Sequence, residues 1–78
     1  YILVVHCRSA AGEEAARELI AARARRMSLK SKTVEPGLVE LNYEVRLRDG
    51  ESGFVHELAG LEEVSQVALV SYNGDYVG

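Results

Sequence analysis

The chain is short of almost everything that would announce a chemistry. Its 78 residues include one cysteine, Cys7, and one proline, Pro36. A lone cysteine excludes an internal disulfide and sits more easily in a reducing compartment than in an oxidising one. No apolar run approaches the ~20 residues that a membrane-crossing helix needs. The strand-like stretch Tyr1 to Val5 is too short for the apolar region of a secretory leader. Positive charge is also scarce: nine Lys and Arg stand against twelve Asp and Glu, giving a net charge of −3 and a pI near 5.3. That balance argues against nucleic acid, whose binding rests on clustered basic groups. Repeats, linkers and low-complexity stretches are missing too. No residue pattern amounts to a catalytic signature, so a non-enzymatic role without a cofactor is expected.

Hydrophobic residues make up 47% and charged residues 27%, the composition of an ordinary globular domain. A chain of this length buries only roughly 60% of its unfolded surface, so a partner or ligand is a natural source of extra stability. It begins at Tyr1 rather than Met, which reads as one domain, residues 1–78, excised from a longer protein.

The clearest pattern is strict alternation from Leu38 to Arg48. Val39, Leu41, Tyr43, Val45 and Leu47 point one way; Glu40, Asn42, Glu44, Arg46 and Arg48 point the other. A period of two predicts a long strand with one buried and one wet face. Tyr1 to Arg8 is apolar and rich in β-branched residues, which predicts a central strand covered on both faces. Ser9 to Gly12 reads as a small-residue loop. A helix is predicted over Glu13 to Met27, with Ala16, Leu19, Ile20, Ala24 and Met27 as its stripe and charges that complement its dipole. Leu29 to Glu35 reads as an edge strand whose Lys30 and Lys32 discourage stray pairing. Pro36-Gly37 suits the centre of a type II turn, which makes a hairpin with the long strand. Asp49-Gly50 ends that strand. Ser52 reads as the N-cap of a short helix carrying Phe54, Val55 and Leu58, and Gly60 as its left-handed stop. Val64 to Ser71 is the last strand, followed by a polar, turn-rich tail.

The order β-α-β-β-α-β, with right-handed crossovers, predicts an α+β ferredoxin-like (ACT-like) plait. Its four-stranded antiparallel sheet takes the order 4-1-3-2, with two helices on one face. The other face should then be uneven. The third strand presents charge there, whereas the first and fourth strands are apolar on both faces. A patch of that kind predicts self-association or docking, unless the tail from Tyr72 to Val77 folds over it.

Each chemistry-bearing residue has a structural alternative. His6 and Cys7 are neighbours on a strand and point to opposite faces, so they do not share a metal ion, and no second cysteine follows. Arg8 and Asn42 echo plait enzymes that hydrolyse acyl phosphates, but Ser9-Ala10-Ala11-Gly12 lacks the glycines that let backbone N–H groups converge on phosphate. Plaits that bind RNA stack bases on aromatics of the central strands, whereas Tyr43 is expected to face the helices and Glu40 and Glu44 would repel phosphate. Regulatory plaits bind amino acids where the first strand meets the first helix. Arg8, Ser9 and Gly12 stand there, so a small anion at that helix N-terminus is the alternative reading; otherwise Ser9 or Gly12 only caps the helix. Arg23, Arg25, Arg26, Lys30 and Lys32 form a basic cluster, read either as a solvated helix end or as a contact with an anionic leaflet.

Four stretches also carry a resemblance: Lys30-Ser31-Lys32-Thr33-Val34, Val39 to Leu47, Phe54-Val55-His56-Glu57-Leu58, and Val67 to Tyr76. The chain resembles the soluble C-terminal domain of a family of uncharacterised bacterial membrane proteins, often encoded beside polyphosphate polymerases. The likeness covers most of the chain, and Ser71-Tyr72-Asn73-Gly74 is its least generic part. It implies a cytoplasmic position at the bacterial inner membrane and a regulatory or interaction role beside the membrane portion. It carries over no catalytic or binding residue. A looser similarity to the ACT-like tail of MgtC-type membrane proteins implies the same architecture and a regulatory role.

Overall fold

The computed structural model describes residues 1–47 and 53–71. Four strands and two helices follow one another as β1 (Ile2–Cys7), α1 (Ala10–Arg23), β2 (Arg26–Glu35), β3 (Leu38–Arg46), α2 (Phe54–Ala59) and β4 (Val64–Val70). The strands form one sheet in the order β2-β3-β1-β4, and every pairing is antiparallel. This is the ferredoxin-like plait expected from the order of the elements.

Alternation places the core. Leu3, Val5 and Cys7 of β1 and Val39, Leu41, Tyr43 and Val45 of β3 are buried on one face, where they meet Ala16 and Ile20 of α1 and Phe54 and Leu58 of α2. Val64 and Leu69 complete the cluster from β4. Each large apolar side chain here contributes roughly 1.5–3 kcal/mol. β1 is central, as expected, but only one of its faces is covered. Ile2, Val4 and His6 are half-buried on a face over which no described element packs.

The first helix is displaced from its expected span. It begins three residues earlier, because Ser9 is extended (φ −157°) and its side chain accepts the Gly12 N–H. It stops at Arg23, where Ala24 turns extended (ψ 148°) and Arg25 donates its N–H to the Arg46 carbonyl at 2.8 Å. Arg26 and Met27 therefore belong to β2. Met27 lies seven residues past Ile20, so it falls on the helical stripe by spacing while sitting opposite Val45 in the sheet.

Pro36 and Gly37 form the two-residue connection of the β2–β3 hairpin, with Glu35 opposite Leu38 and Gly37 at φ +76°. That angle is the one a type II turn demands of its third residue. α2 has Gly53 at its N-cap without a side-chain bond. The expected left-handed stop at Gly60 is not adopted: Gly60 has φ −84°, and the helix tightens through the Leu61 N–H to the Leu58 carbonyl, 3.1 Å. A further turn runs into β4, so the chain continues right-handed with no need of reversal. The expectations at Asp49-Gly50, at Ser52 and in the tail lie outside the described residues.

Candidate functional site

Two places satisfy the fold's geometric conditions for a site: the loop between β1 and α1, and the face of the sheet opposite the helices. The loop is built by pairing. β1 and β4 are antiparallel neighbours, so the residues just before β4 lie beside those just after β1. Arg8 donates its backbone N–H to the Glu63 carbonyl at 2.8 Å and its guanidinium to the Glu62 carbonyl at 3.0 Å. The Ser9 hydroxyl donates to the Glu63 carboxylate at 2.9 Å and accepts from the Gly12 N–H at 3.3 Å. Gly12 is buried, and a Cβ on it would stand 2.6 Å from the Glu63 carbonyl oxygen. The glycine thus allows close packing of helix against loop. Arg8, Ser9 and Gly12 do come together as the sequence predicts. What they hold is the chain's own Glu62-Glu63 segment, and the Glu63 carboxylate engages the hydroxyl that caps the helix. A small anion arriving there competes with Glu63. Sequence reasoning missed both glutamates, although the predicted antiparallel neighbourhood of β1 and β4 was signal enough.

The open face is read row by row from the register. Ile2 lies between Glu44 and Val70, Val4 between Asn42 and Ala68, and His6 between Glu40 and Gln66. The face therefore grades from apolar on β1 and β4 (Ile2, Val4, Ala68, Val70) to polar on β3 (Glu40, Asn42, Glu44). At one end the His6 Nε2 and Glu40 Oε2 lie 2.8 Å apart. None of the four apolar side chains is covered by a described element.

The remaining candidates separate in space. His6 faces the open side, while Cys7 is fully buried. Among the described residues no group of three or more His, Cys, Asp or Glu is placed to hold a metal ion. Burial, and then the charge of Glu13, push the Cys7 thiol above its ordinary value, the setting of an unreactive cysteine. The same two causes raise the Tyr43 hydroxyl, and Tyr43 does face the helices, 2% exposed. Asn42 lies opposite Val4, four residues along β1 from Arg8, or roughly 13 Å at strand spacing. The two do not form one site.

The basic cluster also divides. Arg23 pairs with Glu57 at 2.8 Å, Lys32 with Glu13 at 2.9 Å and Lys30 with Glu44 at 3.5 Å. Arg25 and Arg26 have no acidic partner among the described residues. They are joined by Arg46, which lies directly opposite Arg26, and the three line a recess of about 330 Å³. Arg46 was hidden in the sequence because it belongs to the alternation of β3, twenty residues away.

No family model, curated protein or solved structure matches the chain. Among the described residues no helix is long and apolar enough to cross a membrane.

Proposed function

We propose that this domain is a non-catalytic interaction module that works by self-association through the apolar half of its open sheet face. The observation that supports the reading is the row Ile2, Val4, Ala68 and Val70, placed by the register on a face without a helix. Sheets commonly bury such faces against another sheet about 10 Å away, and a small domain gains stability by doing so. The polar half, with Glu40, Asn42 and Glu44, would rim the contact.

That the domain is a regulatory module on the cytoplasmic side of a bacterial membrane protein is a finer proposal, supported by the sequence resemblance alone. A hydrophobic segment encoded upstream of Tyr1 is its test.

Sedimentation across a dilution series tests the main reading. Reversible association is expected, and a monomer at the highest concentration contradicts it. A thermal-shift panel of amino acids and inorganic phosphate separates this reading from sensing at Arg8, Ser9 and Gly12. A ligand at 100 times its Kd adds about 2.7 kcal/mol. The interaction reading expects a flat panel, because Glu63 already fills the loop.

A further inference from the structure

The outer edge of β2 is a second surface, independent of the open face. When a strand pairs with its own copy about a two-fold axis perpendicular to the sheet, matched residues must point to the same face. β2 departs from simple alternation. Leu29 lies opposite Tyr43 and Ser31 opposite Asn42, so Lys30 is an extra residue in the ladder; beyond it Lys32 lies opposite Leu41 and Val34 opposite Val39. Val39, Leu41, Tyr43 and Val45 are all buried on the helix side of β3. Met27, Leu29, Lys32 and Val34 therefore share the helix side of β2. Arg26, Ser28, Ser31, Thr33 and Glu35 share the open side. The bulge shifts the phase by one residue.

That shift makes the edge self-complementary in a register centred between Lys30 and Ser31. Leu29 then meets Lys32 of the second copy, Ser28 meets Thr33, Met27 meets Val34 and Arg26 meets Glu35. Every pair shares a face. Without the bulge, the same register would oppose side chains on different faces.

The charges agree. Arg26 faces Arg46 across the ladder, a like-charge juxtaposition that is unfavourable in a sheet, and neither has an acidic partner among the described residues. Glu35 at the other end of β2 also has none there. The antiparallel register sets Glu35 of the second copy beside Arg26, twice per dimer. Lys30 and Lys32, expected to repel a second strand, have their charge answered by Glu44 and Glu13. Leu29 is 47% and Val34 64% exposed, and both lie along the contact.

We infer that β2 pairs with β2 of a second copy in this register, joining two four-stranded sheets into one continuous sheet with all helices on the same side. The test mixes Ser28→Cys and Thr33→Cys proteins under mild oxidation. Both positions are exposed, and the native Cys7 is buried. The mixture should cross-link at least about tenfold faster than either protein alone, because position 28 meets position 33 rather than itself. In the Ala68→Asp background, which disables the open face, Glu35→Arg should raise the dimer Kd about tenfold, since symmetry counts each cross-strand charge twice. The double variant Arg26→Glu/Glu35→Arg should restore it. Cross-linking in the mixture no faster than in the separate proteins, or a double variant as weak as Glu35→Arg, overturns the inference. Neither result bears on Ala68 and the open face, so failure of one surface is distinguishable from failure of the other.

Discussion

β1 and β3 bury every second residue, and the outer strand β2 buries none. In β1 every second residue is fully buried, and the residues between are half-buried. In β2, nine of ten residues are exposed and only Met27 is partly covered. The two helices account for the difference. α1 touches all four strands but α2 only β4, so β2 meets one helix where the opposite edge strand meets both. Stability is therefore concentrated in the helix-side rows of β1, β3 and β4, and surface available for contact is distributed along β2 and over the open face.

The largest effect expected of a single change is on the helix-covered side of the sheet. Leu69 is 4% exposed on the helix side. Leu69→Asp buries an unpaired charge at a cost of several kcal/mol, comparable to the whole stability of a domain this small, and circular dichroism should show an unfolded chain. A folded Leu69→Asp would mean that β4 is read on the wrong phase.

Gly12→Ala comes next. The new Cβ meets the Glu63 backbone rather than a flexible side-chain tip, so urea denaturation should show a loss of about 1–3 kcal/mol. An unchanged midpoint would remove the close approach of helix and loop.

The buried thiol gives a smaller, pH-dependent effect. Cys7 ionises less readily folded than unfolded. Its contribution is complete below the ordinary thiol value of about 8.5 and is lost as pH rises toward the folded value, because the unfolded chain sheds its proton first. Denaturation from about pH 7 to about pH 10 should show falling stability. Cys7→Ala should flatten the earlier part of that fall and leave the part from Tyr43, which sets in near pH ~10. Equal slopes in the two proteins would argue against the burial of Cys7. At the small end, Lys32→Ala removes only a surface pair with Glu13 and should shift stability by under about 0.5 kcal/mol. A larger loss would show that β2 carries more of the fold than its exposure implies.

Much of this comparison was legible in the sequence. The alternation of β3 announces the buried row Val39, Leu41, Tyr43 and Val45, and the order of the elements leads to the plait. Two limits were physical. Helix boundaries followed spacing, and spacing alone does not distinguish Met27 on a helix from Met27 on a strand. Extended backbone at Ala24 decides it, and that depends on the sheet bond from Arg25 to Arg46. The loop site was half legible. Arg8, Ser9 and Gly12 were placed together by their closeness in sequence, while Glu62 and Glu63 reach them only through the β1–β4 pairing. The bulge at Lys30 left no signal, because an extra residue in a mostly polar, exposed strand disturbs no hydrophobic pattern.

Sedimentation of the wild-type chain beside Ala68→Asp decides whether the open sheet face is a contact surface. Ala68 neighbours the buried Leu69 but faces the open side across from Val4. Ala68→Asp is expected to stay folded and to associate at least about tenfold more weakly, the consequence of placing a charge in an apolar contact. Wild type and variant sedimenting alike at every concentration would contradict it.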